Sequence, residues 1–366
     1  MRPVALDATL MDEPTTGIGL YTHELYHALA SRMPIERWGA PRSGELPRRK
    51  VGRTEWTLGV LPRLLADRTP ALWHGLSNFN LPLVRVPQVP FVLTVHDLVP
   101  LLLPDTVSAP FRWQFRLWLS RSLKVAEHVI CVSQVTKASL LEHFEVSEDR
   151  LSVIAHGVEH VERLARPDAI TVKWLDALGL PPRFVLYAGS LDARKNVELV
   201  LSACEKLHDG GAPVTLALAG QQWFGSRGVE QRVSALRGRG LDIRLLGYLE
   251  ASVFYALMRR AGVFVFPSRY EGFGLPPVEA MALGVPTIVS TAGALPEVCG
   301  DGALQVDPDD ADGLAQALQR VLTDEAFRGA LAGRGLEVSR RYRWDTTARL
   351  TQTVYERVLG RAVSRA

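Results

Sequence analysis

The sequence predicts an α/β protein built of two Rossmann-like, doubly wound parallel-sheet domains. Three observations carry that prediction. Short apolar runs rich in Val, Ile and Phe alternate with longer stretches of helical period, the alternation occurs twice, and a charged, proline-containing break separates the two series. A length of 366 residues suits two such domains.

The first series of strands is read at Val4 to Asp7, Ala71 to His74, Phe91 to His96, His128 to Val132 and Leu151 to Ala155. The break follows between Glu159 and Arg183, with one short helical pattern around Val172 to Leu178. The second series runs Phe184 to Ala188, Val214 to Ala219, Ile243 to Leu246, Val263 to Phe266, Thr287 to Ser290 and Ala303 to Val306. Residues 1–165 and 166–343 are the two expected domains. The last pattern, from Trp344, spaces Leu350, Val354, Val358 and Leu359 as one helix face, and this helix, within 344–366, is expected to pack back on the first domain.

Composition excludes several classes. Apolar residues make up 47% and charged residues 22%, which rules out disordered and fibrous chains, and a net charge of +3 does not call for nucleic acid as a partner. Cys131, Cys204 and Cys299 lie far apart, so they read as small core residues of a reducing compartment rather than a disulfide or zinc framework. The acids Asp7, Asp12 and Glu13 argue against a leader peptide, and Val89 to Leu103 is too short and too interrupted to span a membrane. A cytoplasmic location is the expectation.

In open α/β sheets ligands bind beyond the carboxyl ends of the strands, so chemistry is sought there. Thr15 to Tyr21, with Gly17 and Gly19, follows the first strand and opens a helix; it is either an anion-facing helix start or a flexible cap, and it lacks the third glycine of the dinucleotide fingerprint. After Phe184 to Ala188 comes Gly189-Ser190-Leu191-Asp192-Ala193-Arg194-Lys195-Asn196. Two cations at a helix N-terminus oppose the helix dipole, so the loop is either a diphosphate clamp or a solvated basic turn. After Val263 to Phe266, the string Pro267 to Ala280 carries Glu271 on a loop and Glu279 in what reads as the first turn of a proline-led helix. Taken singly, these acids could be a surface residue and a dipole-favoured helix starter.

Taken together, the string resembles the E-x7-E motif of family 4 retaining glycosyltransferases, also called glycosyl transferases group 1. Gly17-Ile18-Gly19, Arg194-Lys195 and the order of both halves are similar to that family over nearly the whole chain. The resemblance implies a GT-B architecture, two Rossmann domains facing across a cleft, with a nucleotide-sugar donor held mainly by the second and an acceptor mainly by the first. It implies that Glu279 binds the donor ribose and Glu271 the transferred sugar, while backbone amides at Phe273, Gly274 and Leu275 contact sugar and phosphate. Arg194 and Lys195 would clamp the diphosphate, with Gly189 and Gly19 near it, and Gly247 and Tyr248 would flank the nucleobase. His96 would lie next to the sugar as a catalytic-site residue, and Asp97, Ser133 and His156 would line the cleft.

Ser133 could equally cap the following helix, and His156 stands where the family often has Asn. The tripeptide Asp307-Pro308-Asp309 matches the metal motif of the other glycosyltransferase architecture, but Asp309 or Asp310 reads as a helix cap, so neither metal nor cofactor is expected. The resemblance extends to bacterial mannosyltransferases of polysaccharide and O-antigen assembly, which implies a mannose donor, GDP-mannose, and a glycan or lipid-linked glycan acceptor; UDP-sugars are the alternative. A glycoside hydrolase would also use paired carboxylates, and an epimerase or binding protein would also hold a sugar nucleotide. Helix 111–124 sets Phe111, Phe115 and Trp118 on one side among Arg112, Arg116, Arg121 and Lys124, as a core face or a peripheral contact with the inner face of the cell membrane, where the basic loop Pro47 to Arg53 would assist.

Overall fold

The computed structural model describes residues 2–11, 16–39, 52–220 and 227–363. The basic loop at 47–51 and Thr15 lie outside them, as does the side chain of Arg53. The chain forms two compact units, one of residues 1–157 with 343–366 and the other of residues 158–342.

The first unit holds a six-stranded, wholly parallel sheet. Its strands are β1 (Val4–Asp7), β2 (Ile35–Trp38), β3 (Leu72–Gly75), β4 (Phe91–Val95), β5 (His128–Cys131) and β6 (Leu151–Val153), in the order β2-β1-β3-β4-β5-β6. β2 is a strand the sequence does not announce. Among the described residues it pairs only with β1 at the sheet edge, and its residues Ile-Glu-Arg-Trp are half-exposed, so no buried apolar run marks it. The interior strands are buried on both faces, as parallel strands covered by helices must be.

The second unit repeats the plan with β7 (Val185–Ala188), β8 (Leu216–Ala219), β9 (Ile243–Gly247), β10 (Val263–Phe266), β11 (Thr287–Ser290) and β12 (Leu304–Val306). The order is β12-β11-β10-β7-β8-β9, all parallel. β7 lies beside β10, and the chain winds outward from that pair in both directions. The order therefore reverses between them, which makes the β7/β10 crevice the topological switch point.

The unit boundary falls at Gly157/Val158 rather than at 165/166. The reason is the short helix His160–Leu164, whose His160 ring bonds to Tyr255 and Glu279 of the second unit, while the Val158 amide donates to Tyr342 O at 3.0 Å. The C-terminal helix Trp344–Val363 packs against helix Gly17–Ala30 in the first unit. Its Trp344, Ala348, Val354, Tyr355 and Val358 join Tyr21, Leu25 and Leu29 in one buried cluster. Gly157 makes this possible, since a Cβ there would stand 2.2 Å from the Trp344 nitrogen. The three cysteines are free and buried, and among the described residues no helix is long and apolar enough to cross a membrane.

Candidate functional site

The loops leaving β7 and β10 bring the second unit's charged residues together. The β7 loop is shaped by Asp192, whose carboxylate accepts from the Lys195 amide (2.9 Å) and the Ser190 hydroxyl (2.6 Å). Asn196, buried and in the left-handed region at φ 58°, donates its side-chain amide to Pro267 O (3.1 Å) and Pro308 O (2.7 Å). That fastens the β7 loop to the loop after β10. On the other side, Gly293 adopts φ 59°, and a Cβ there would come within 2.7 Å of the Glu271 backbone nitrogen and oxygen, so only glycine lets this turn back the site.

Arg194 and Lys195 converge on one oxygen. Arg194 Nη1 and Lys195 Nζ each stand 2.8 Å from Glu271 Oε1, and Arg194 also donates to Tyr270 O at 3.2 Å. The Lys195 ammonium lies 4.5 Å above the Phe266 ring. Burial opposes the Lys195 charge and pulls its pKa below the ordinary lysine value, although Glu271 offsets part of that. Burial alone would raise the Glu271 carboxyl, but Lys195 and Arg194 overcome it and hold the carboxyl below its usual range. Two cations face one carboxylate here, and the Asp192 carboxylate also acts on Lys195; cationic groups gathered beyond a strand end suit an anion.

Glu279 sits apart from this cluster. It is the fifth residue of helix Leu275–Ala282, beyond the first turn, so the helix dipole does not account for it. It is 3% exposed, and its Oε1 is met by Tyr255 OH at 3.0 Å and His160 Nε2 at 2.9 Å. Both bonds fall on one oxygen, which holds the carboxylate in place. Gly274 caps this helix at φ 90°, flanked by buried Phe273 and Leu275; the Phe273 ring meets Tyr342 edge-on at 5.5 Å. Gly189 ends β7, its amide donating to Ala219 O. Gly247 ends the edge strand β9 at φ 66°, and Tyr248 beside it is 47% exposed, the setting of a ring able to stack on a flat ligand.

In the first unit the Gly19 amide is bound by the Thr16 hydroxyl at 3.0 Å, so Thr16 is the cap of helix Gly17–Ala30; Gly17 is exposed and Gly19 buried. His96 is 8% exposed and donates through Nε2 to Leu76 O at 2.9 Å, since a carbonyl can only accept. Burial lowers its pKa to about 4, so the ring is neutral near pH 7 and Nδ1 is the acceptor nitrogen. Asn78 brackets it, accepting from the His96 amide (3.1 Å) and donating to Asp97 O (2.9 Å), and Asp97 Oδ1 accepts from Val99 N.

Ser133 and His156 are nearly closed to solvent at 1% and 3%. Ser133 caps helix Gln134–His143 through Thr136 N, and His156 stacks on His96 (5.5 Å) against Tyr21. Asp310 is the cap at the 307–310 turn, accepting from Gly313 N at 2.8 Å, while Asp309 pairs with Arg269. Among the described residues no three His, Cys, Asp or Glu side chains are grouped to hold a metal. Asp192, Asn196, His160, Tyr255 and Asn78 are the positioning residues that sequence reasoning missed.

Comparison with known proteins agrees with this layout. Residues 15–162 match the model for Glycosyltransferase Family 4 and residues 175–337 that for Glycosyl transferases group 1. The chain is 29% identical to O-antigen chain mannosyltransferase B of Escherichia coli, over 94% of this chain and 96% of that protein. It is 30% identical to a glycogen synthase of Mycobacterium tuberculosis, over 82% and 75% respectively. Sucrose-phosphate synthase from Thermosynechococcus elongatus has the same fold, with a TM-score of 0.77 at 23% identity, covering 98% of this chain and all of that one. With two parallel-sheet units and motif residues gathered at the strand ends, the chain belongs to the glycosyl transferases group 1 family and is a GT-B glycosyltransferase.

Proposed function

We propose that the enzyme is a retaining, metal-independent hexosyltransferase that moves mannose from GDP-mannose to a glycan or lipid-linked glycan. The observation that carries this reading is the partly buried set of Arg194, Lys195 and Glu271 at the switch point of the second unit. Cleaving a sugar from a nucleoside diphosphate adds about one negative charge to the leaving group. A cation about 4 Å away stabilises such a charge by about 4 kcal/mol at an effective dielectric of 20, so Arg194 and Lys195 can supply the compensation that a metal gives elsewhere.

Glu271 holds hydroxyls of the transferred sugar and Glu279 those of the ribose. Backbone amides at Phe273, Gly274 and Leu275, together with Gly189, face sugar and phosphates, and the base lies at Gly247 and Tyr248. The first unit carries the acceptor, and the neutral His96 ring accepts from a sugar hydroxyl. The departing phosphate oxygen takes the acceptor's proton on the face it leaves. The mannose assignment draws support from the E. coli mannosyltransferase relative.

The test is a thermal-shift screen of GDP, UDP, GDP-mannose, UDP-glucose and UDP-GlcNAc, followed by acceptor-dependent nucleotide release with and without chelator. A ligand at about 100 times its Kd adds about 2.7 kcal/mol, enough to raise Tm by several degrees. Selective stabilisation by GDP compounds supports the proposal. Selectivity for UDP compounds moves the donor to a UDP-sugar, loss of turnover in chelator removes metal independence, and binding without acceptor-dependent release returns the chain to a silent binder.

A further inference from the structure

We propose that Tyr187 is a positioning residue for Lys195, its hydroxyl setting the path of the β7 loop from beneath. The ring is fully buried and joins Leu191, Val197, Val200 and Leu218 in the core of the second unit. It therefore meets the loop from a rigid base. Its hydroxyl oxygen lies 3.1 Å from Ser190 O and 3.4 Å from Lys195 O, so one phenol bridges the two ends of the loop. A hydroxyl has a single proton to give and both carbonyls can only accept, so the two share it. Burial, together with Asp192 and Glu271, pushes the phenol well above the ordinary tyrosine range, which keeps that proton in place.

The bridge acts on Lys195 and not on its neighbour. The Arg194 carbonyl accepts from the Arg269 amide at 2.8 Å and is tied to the loop after β10, whereas the Lys195 carbonyl is tied to the phenol. Gly189 lies over the same spot. A Cβ there would stand 3.5 Å from the Tyr187 hydroxyl and from Lys195 Cγ and Cδ, so phenol and lysine stem pack around one glycine. Lys195 is thus held at its carbonyl by Tyr187, at its amide by Asp192 (2.9 Å) and at its ammonium by Glu271. When phosphates draw the ammonium, the first two contacts remain to aim it. A misplacement of about 1 Å costs up to about 100-fold in rate. The inference rests on the reading above in which Lys195 stabilises the departing diphosphate.

The test is a double-mutant cycle on the full chain, with kcat for nucleotide release measured at saturating donor and acceptor. Y187F removes only a shared hydrogen bond and keeps the ring, so the chain stays folded, which circular dichroism melting checks. It is expected to lower kcat about tenfold, with donor KM changed less than about twofold. In K195A there is no ammonium to aim, and adding Y187F is expected to lower kcat by less than about twofold. V321A opens a cavity in the same core on helix Ala311–Thr323 and controls for lost stability: Tm falls while kcat stays within about twofold of wild type. Wild-type kcat in Y187F, the same tenfold loss in K195A as in wild type, or a matching loss in V321A would overturn the positioning role. Near wild-type kcat in K195A alone would refute the reading of Lys195 and the inference with it, a failure seen in that single variant before Y187F is compared.

Discussion

Lys195→Ala removes one of the two cations that converge on Glu271, and its effects on folding and on turnover should separate. In the free protein the ammonium makes one 2.8 Å bond to Glu271 Oε1 and lies over Phe266. Arg194, also at 2.8 Å, remains to neutralise the carboxylate, so no buried charge is abandoned. The folding loss is then one charge-assisted hydrogen bond, about 1.5 to 3 kcal/mol, and a shift in Tm of several degrees. On the proposed mechanism the missing charge would face the departing diphosphate in the transition state, where it is worth about 4 kcal/mol at an effective dielectric of 20. That corresponds to roughly a thousandfold in kcat at saturating donor. Steady-state nucleotide release at saturating donor and acceptor measures it, with circular dichroism melting as the folding control. A variant that melts as a folded protein and keeps kcat within about tenfold of wild type would show that Lys195 does not stabilise the leaving group.

Two further perturbations test the supporting structure. Tyr255→Phe removes one donor to Glu279 while keeping the ring, and His160→Gln keeps a donor on a different geometry. With Glu279 as the proposed ribose ligand, each is expected to raise the donor KM about tenfold with kcat little changed, because such a contact would be made equally in ground and transition states; unchanged KM in both would end the positioning role. The second concerns acid. Burial lowers His74 to about 3 and His96 to about 4 from an ordinary 6.5. The unfolded chain therefore binds more protons below pH 6.5, and stability falls as pH drops from there through the folded values. By pH 5 each histidine contributes a loss of about 2 kcal/mol relative to neutral pH. Urea unfolding followed by tryptophan fluorescence reports mainly this unit, since Trp38, Trp56, Trp73, Trp113, Trp118 and Trp344, six of the eight tryptophans, belong to it. Equal urea midpoints at pH 7 and 5 would contradict it.

What could be read in advance follows from range along the chain. Strands such as β4 and β10 show as contiguous buried runs, and the Arg194-Lys195 pair stands out because it follows a strand within a few residues. β2 does not show, because a four-residue edge strand with Glu36 and Arg37 exposed at its centre has no buried run to advertise. Nor do the residues that hold the site in shape. His160 reaches Glu279 from 119 residues away and Asn196 reaches Pro308 from 112, and each alone is an ordinary polar side chain. The misplaced turn of Glu279 has the same source: the helix starts only at Leu275, where Gly274 with positive φ ends the loop.

The path of the polypeptide also orders its assembly. The second unit is one uninterrupted stretch, whereas the first needs the final twenty or so residues, whose Tyr355 hydroxyl meets His74 at 2.6 Å in a buried relay through Thr94 to Tyr21. A chain emerging from the ribosome can therefore finish its later unit before its earlier one, and the opening half must wait, partly uncovered, for the tail. Truncation before Trp344 would spare the second unit and strand the other as chaperone cargo.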